Sequence, residues 1–274
     1  MKTKKIGLVG IYFPGAYDAL HENVPEGFEL VDALSPEAYG NLADCEYLIS
    51  RLDIDPDIIN HTPNVKFWQR WGAGFDHVDL KAWGERGIPI ATCPGVNSGI
   101  VAELAIMLML AGYRNLLQIN RQLRVGHWPR TEYFGRSFMI KGKTVGVLGL
   151  GHIGKKVAAL ASAFGANVIY YDIVRQPEQE EQFGYRFVDF DTLLKESDIF
   201  TIHCPLNEET RGMIGAAQFA KMKPTAMLIN TARGPIVDEA ALVDALTTGK
   251  IATAGLDTYE HEPLPKDHPL LTLD

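Results

Sequence analysis

Apolar and polar positions along the chain alternate between short, almost wholly apolar runs and longer segments with helical spacing. The runs cover residues 5–9, 28–31, 47–50, 66–71 and 89–92, then 144–148, 167–171, 199–203, 226–230 and 251–256. Most lack strict apolar–polar alternation, which is how strands buried on both faces of a parallel sheet read. Between them, segments such as 153–164, 191–196 and 239–248 carry apolar residues at helical spacing. Strand–helix alternation over the whole length predicts doubly wound α/β architecture.

A division is expected near Pro94-Gly95. Beyond it, Ser98 is placed to cap a long apolar helix reaching about Tyr113, with Glu103 in its early turns. A polar stretch with Gly126, Pro129 and Gly135 separates that helix from the next strand. The expectation is two parallel-sheet α/β domains, residues 1–95 and 96–274. Two domains also agree with a length of 274 residues, at roughly 150 residues per domain.

Charge and cysteine content narrow the function classes. Asp and Glu outnumber Lys and Arg by 34 to 26, a net charge of −8. Nucleic acid and anionic lipid, which select basic faces, are therefore not expected partners. Cys45, Cys93 and Cys204 are too few and too scattered for a disulfide framework or a metal site, and read as reduced thiols of a cytoplasmic protein. The longest apolar stretch, 100–113, is broken by Glu103 and falls short of the roughly 20 residues that cross a bilayer. Lys2, Lys4 and Lys5 precede an apolar run, as in a signal peptide. Gly7, Gly10 and Pro14-Gly15 would break its helix, so a first strand is the better reading.

The strongest chemical signal is Gly149-Leu150-Gly151-His152-Ile153-Gly154, directly after the run 144–148 and before an Ala-rich helix. With a strand before and a helix after, GxGxxG reads as a dinucleotide-binding loop. Its first glycine permits a tight turn, its second lets a pyrophosphate approach, and its third lets helix and strand pack closely. The helix N-terminus, at His152 and Ile153, adds unpaired N–H groups. Asp172 follows Gly154 by 18 residues and ends the next strand. That is where an acid holds a ribose 2′-hydroxyl and repels a 2′-phosphate, favouring NAD over NADP. Arg175, three residues on, leaves some tolerance of NADP open.

Arg233 lies in Asn230-Thr231-Ala232-Arg233-Gly234-Pro235, just after a strand run. A guanidinium there either grips a substrate carboxylate bidentately or pairs with Asp238 or Glu239. Glu262 is either an acid that tunes a histidine or a solvated loop residue.

These stretches resemble the NAD-dependent D-2-hydroxyacid dehydrogenases. The resemblance rests on Arg70-Trp71-Gly72-Ala73-Gly74-Phe75-Asp76, Val101-Ala102-Glu103-Leu104, the glycine loop, His203-Cys204-Pro205-Leu206, Asn230 to Asp238, Gly255-Leu256-Asp257 and Glu262-Pro263-Leu264-Pro265. It implies two Rossmann-like or flavodoxin-like parallel-sheet domains, NAD as cofactor, and a small 2-hydroxy or 2-oxo acid as substrate. Residues 1–95 would be the substrate domain and 96–274 the NAD-binding domain, with a homodimer formed through the 98–121 helix region. Arg233 would orient substrate, and Glu262 would pair with the catalytic histidine. Ala73 and Gly74 would give N–H groups to the substrate carboxylate. His203, Pro205, Thr231 and Ala232 would pack on the cofactor, and Asp257 would face its nicotinamide end.

In the family the catalytic histidine follows the glutamate in a Pro-His step, and a last helix returns to the substrate domain. The sequence stops at Leu271-Thr272-Leu273-Asp274, before that point. The chain is thus expected to lack both, and to turn over poorly by itself. His203, His261, His268 and His152 are weak substitutes, and His21, His61, His77 and His127 have no catalytic context. Arg51 and Arg70 either hold a distal substrate phosphate, as in phosphoglycerate dehydrogenases, or are surface arginines. Trp68, Trp71 and Phe75 either line a bulkier pocket or belong to the core. The alternative to a dehydrogenase is an NAD(H)-binding module without turnover, such as the co-repressors that share this fold.

Overall fold

The structure, a computed structural model, describes residues 3–52, 54–76 and 78–273. The chain forms two compact units, Met1–Asn97 and Ser98–Asp274. The first contains β1 (Lys4–Gly10), α1 (Pro14–Glu22), β2 (Phe28–Ala33), β3 (Tyr47–Arg51), β4 (Phe67–Arg70), α2 (Leu80–Glu85) and β5 (Ile90–Ala91). Its five strands are parallel, in the order β2-β1-β3-β4-β5. This is the flavodoxin-like winding. Leu8, Val9, Leu48 and Trp68 are buried, and the Trp68 indole N–H donates to Ser50 Oγ at 2.7 Å.

The second unit runs α3 (Ser98–Tyr113), α4 (Leu116–Arg124), β6 (Thr144–Leu148), α5 (His152–Ala163), β7 (Asn167–Tyr171), α6 (Pro177–Phe183), β8 (Arg186–Phe187), α7 (Phe190–Glu196), β9 (Ile199–Ile202), α8 (Ala216–Phe219), β10 (Met227–Asn230), α9 (Glu239–Thr247) and β11 (Thr253–Leu256). Its parallel strands lie in the order β11-β10-β9-β6-β7-β8. The chain starts the sheet at its centre and winds outward in both directions, so β6 and β9 flank a topological switch point, where ligands bind.

Side chains of successive strand residues take opposite faces. Val145, Val147, Ile199, Met227 and Ile229 pack with Ala102, Ala105 and Met109 of α3 and Val157, Ala158 and Ala161 of α5. Phe200, Ile202 and Leu228 pack on the other face with Leu193, Leu194, Leu242 and Ala245. Both faces are covered, which is why the runs read as continuously apolar. Asp189 and Asp238 cap α7 and α9 by accepting from Thr192 N and Ala241 N at 2.8 and 2.9 Å.

Several expected boundaries shift. Ser98 is the first residue of α3 and is buried. The run 251–256 yields a strand only from Thr253, because Ile251 is a buried anchor of the preceding turn. The two-residue edge strand β8 and the helix α4, which buries none of its residues, were not among the expected elements. No single helix among the described residues is long and apolar enough to cross a membrane.

Candidate functional site

Residues with chemical potential collect at the carboxyl ends of the second unit's strands. β6 runs into Gly149, whose φ of +90° lies in the region that favours glycine. Gly154 sits in the first turn of α5, and a Cβ there would stand 2.0 Å from the Gly149 carbonyl oxygen. Helix and loop are therefore in backbone contact. At Gly151, the N-cap of α5, a Cβ would meet no protein atom within 4 Å, and no side chain caps the helix. His152 is exposed beside it. The result is an open, positively polarised cradle of N–H groups at the switch point.

Asp172, at the end of β7, is tied to this loop. Its Oδ2 accepts from Leu150 N at 2.6 Å and its Oδ1 from Val174 N at 3.2 Å, while Gln176 Nε2 donates to the Leu150 carbonyl at 3.0 Å. The carboxylate is oriented before any ligand arrives. Arg175 points its guanidinium at Glu180.

At the ends of β9, β10 and β11 the structure leaves three buried polar atoms without partners among the described residues: His203 Nδ1, Thr231 Oγ1 and Thr258 Oγ1. Three such atoms on neighbouring strand ends mark a place where a polar group of a ligand would be satisfied. Together with the cradle, they fit a dinucleotide. The Nε2 of His203 lies 2.8 Å from Thr201 Oγ1, and burial pushes its pKa down to about 3. The ring is neutral near pH 7. Burial raises the Cys204 thiol to about 11, so it is not a nucleophile. The Pro205 carbonyl accepts from Thr210 Oγ1 at 2.7 Å, which stiffens that loop.

The Arg233 loop is built by Asn230. Its Oδ1 accepts from Ala232 N at 3.1 Å and its Nδ2 donates to the Arg233 carbonyl at 2.9 Å. The half-buried Arg233 donates from Nη1 to the Ala232 carbonyl at 2.7 Å. Asp238 is occupied as the α9 cap, and the buried Glu239 accepts from Glu260 N at 2.7 Å and lies 3.2 Å from His268 Nε2. At Gly234 a Cβ would stand 1.9 Å from the Tyr259 carbonyl, so the Arg233 loop packs directly on the loop that carries Glu262. Glu262 is exposed and accepts from Tyr259 N at 2.9 Å. The Asp257 carboxyl is raised above the usual range by partial burial and then by the charge of Glu262, so these two acids sense each other.

In the first unit, the turn after β4 holds Ala73 and Gly74. Arg70 is buried beneath it, donating from Nε to the Gly74 carbonyl at 2.9 Å and from Nη1 to the Leu52 carbonyl at 2.5 Å. Arg51 donates to the Ile11 carbonyl at 3.1 Å and stacks 4.9 Å over the Phe13 ring. Trp68 is core, whereas Trp71 packs edge-on against Tyr12 and Phe75 is exposed. His77 lies outside the described residues. Reasoning from sequence missed Glu180, Thr258 and the bracing role of Asn230, and considered Glu239 only as a partner for Arg233. Only Asn230, at a strand end before a Gly-Pro loop, carried a local signal.

Comparison with known proteins gives this geometry a context. The model of the family described as "D-isomer specific 2-hydroxyacid dehydrogenase, NAD binding domain" matches residues 106–274. A D-3-phosphoglycerate dehydrogenase of Archaeoglobus fulgidus is 45% identical over 225 residues, which are 82% of this chain and 42% of that protein. The chain therefore matches less than half of that relative's length. A glyoxylate reductase of Thermofilum pendens is 43% identical over 243 residues, covering 87% of this chain and 72% of that protein. Among solved structures, a holo form of Rhodotorula graminis D-mandelate dehydrogenase matches with a TM-score of 0.89 at 31% identity, over 100% of this chain and 86% of that one.

Proposed function

Because this chain belongs to the D-isomer specific 2-hydroxyacid dehydrogenase family, we propose that it interconverts a D-2-hydroxy acid and its 2-oxo acid with NAD as cofactor. The observation that carries the reading is a dinucleotide cradle, Gly149 to Gly154 with Asp172, on the same sheet edge as the braced arginine Arg233. NAD, when bound, supplies or receives the hydride at C2. Arg233 grips the substrate carboxylate through two parallel hydrogen bonds and draws charge from the neighbouring carbonyl. The Asn230 clip fixes the backbone from which that side chain projects, so little order has to be gained on binding.

Glu262 is assigned the orientation of a catalytic histidine. His203 does not exchange the proton near neutral pH, since its basicity lies far below that range, and His268 is engaged with Glu239. His203, Pro205, Thr231, Ala232 and Asp257 are assigned to the nicotinamide end. The first unit is assigned to the substrate, with Ala73 and Gly74 as its substrate-binding residues. The engagement of Arg70 with two carbonyls, and of Arg51 with a carbonyl and a ring, supports an acid with no distal phosphate. Glyoxylate, hydroxypyruvate and pyruvate fit better than 3-phosphohydroxypyruvate.

Titration by nicotinamide fluorescence tests the cofactor assignment. NADH should bind at least roughly tenfold tighter than NADPH, a gap of about 1.4 kcal/mol. Asp172→Ala should narrow that gap. It should also weaken NADH itself, because the substitution removes both the ribose partner, worth about 1.5–3 kcal/mol per charge-assisted bond, and the brace on Leu150 N. Equal affinities in the wild type would remove Asp172 from its role. Reduction of the four 2-oxo acids with NADH then ranks the substrates. NADH binding with none of the acids reduced, even in a form that carries the catalytic histidine, would favour a non-catalytic module.

A homodimer through the 98–121 region is part of the same proposal. Within that region Ile100, Met107, Leu116 and Leu117 are all more than half exposed, large apolar side chains that a second copy would cover. Sedimentation should give a dimer, and Leu117→Asp should shift it to monomer while NADH still binds. A monomeric wild type would refute this assembly. A cytoplasmic setting is proposed on the free thiols Cys45, Cys93 and Cys204.

A further inference from the structure

Arg175 stands three residues beyond the ribose acid Asp172, where a guanidinium normally accommodates the 2′-phosphate of NADP. Position alone would make this chain permissive for either dinucleotide. The structure gives the side chain another task. Its Nε donates to Glu180 Oε1 at 2.9 Å and its Nη2 to Glu180 Oε2 at 2.8 Å, a full bidentate fork. The guanidinium carbon also lies 5.6 Å from the centre of the Phe187 ring.

The acceptor of that fork is itself held. The Tyr170 hydroxyl donates to Glu180 Oε1 at 2.8 Å and accepts from Gln176 N at 2.9 Å, and Tyr170 is wholly buried in the sheet. Glu180 lies in the first turn of α6, only partly exposed, and the Arg175 fork is the largest of the effects that pull its carboxyl down to about 2. A carboxylate anchored on a buried tyrosine keeps its arginine in one geometry at the point where Asp172 begins the ribose contact.

We propose that Glu180 is a determinant of dinucleotide choice, withholding the Arg175 guanidinium from a 2′-phosphate so that Asp172 alone faces that position. The proposal rests on the NAD reading of the site and assigns part of its specificity to a residue that need not touch the cofactor. Specificity here has two parts: a repulsive charge at Asp172 and a sequestered attractive one at Arg175. Without Glu180 the local charge facing a 2′-phosphate rises by one unit and the guanidinium is released to pair with it.

The test measures NADH and NADPH dissociation constants by nicotinamide fluorescence, using the full chain as wild type, Arg175→Ala, Glu180→Gln and the double variant. Glu180→Gln should tighten NADPH by roughly three- to fivefold, the scale of one exposed ion pair, and leave NADH within about twofold. The gain should vanish in the double variant and shrink in 0.5 M salt, since the new contact is solvent-exposed. Arg175→Ala in the wild-type background should leave NADPH unchanged, an outcome that does not depend on how Glu180→Gln folds. An unmoved NADPH/NADH ratio in Glu180→Gln overturns the proposal. So does a loss of NADPH affinity in Arg175→Ala as large as that found in the Glu180→Gln background. If the wild type binds neither dinucleotide, the cofactor reading falls and takes this proposal with it. If it binds NADH and only the ratio fails to move, the cofactor reading stands and Glu180 is structural.

Discussion

In a form of the protein that carries the catalytic histidine, Arg233→Lys is expected to lower kcat/KM for every accepted 2-oxo acid by roughly 10²- to 10³-fold, or about 3–4 kcal/mol of transition-state stabilisation. Lysine keeps the charge but offers one compact ammonium where the arginine offers two parallel N–H donors in a fixed plane. The loss should appear as a raised KM together with a lowered kcat, because in the role proposed for it the fork both binds the carboxylate and sets the angle at which C2 meets the hydride. A misplacement of about 1 Å at a reacting centre is enough to cost around a hundredfold. The Asn230 clip and the packing of Gly234 on the Tyr259 backbone hold the loop whichever side chain stands at 233, so the variant should fold. A second readout is independent of turnover. Oxalate, an inert dicarboxylate, should quench the nicotinamide fluorescence of the NADH complex in wild type and need a much higher concentration in Arg233→Lys. Wild-type values for both readouts would make Arg233 a structural arginine.

Much of the architecture was legible because it rests on local signals. A run such as 144–148 is apolar at every position except Thr144 and Gly146, and it becomes a strand with identical limits because both faces of the sheet are covered. The glycine loop was legible for a related reason: three glycines between a strand and a helix leave few physical alternatives. The second tier of the site was not legible, since its pairs are made across the fold. Glu239 reads as an ordinary acid at a helix start, yet it bridges Glu260 N and His268, which are 21 and 29 residues away. Arg70 reads as a surface or substrate arginine, and the structure buries it on the carbonyls of Leu52 and Gly74. The neutrality of His203 likewise follows from burial, which spacing along the chain does not encode.

Replacing Gly154 with alanine should weaken NADH binding by at least roughly a hundredfold, about 2.8 kcal/mol, and lower stability as well. The added Cβ would stand 2.0 Å from the Gly149 carbonyl oxygen, where real Cβ contacts essentially never fall below 3.0 Å. Both partners belong to backbone, so no rotamer change relieves the clash. The helix α5 would have to withdraw by about an ångström, yet Val157, Ala158 and Ala161 lock it into the core against β6 and β7. Overpacking of this kind costs about 1–3 kcal/mol, and in a domain of this size each kcal/mol lowers Tm by roughly 2–4 °C. Gly151→Ala supplies the contrast. Its Cβ meets no protein atom within 4 Å, so Tm should stay at the wild-type value, while the methyl group occupies the space a pyrophosphate needs and NADH binding should still fall. Thermal unfolding and NADH titration of both variants separate a damaged helix from a filled cradle. If Gly151→Ala binds NADH as tightly as wild type, the pyrophosphate does not sit on this loop, and the assignment of Gly149 to Gly154 as the cofactor cradle is wrong.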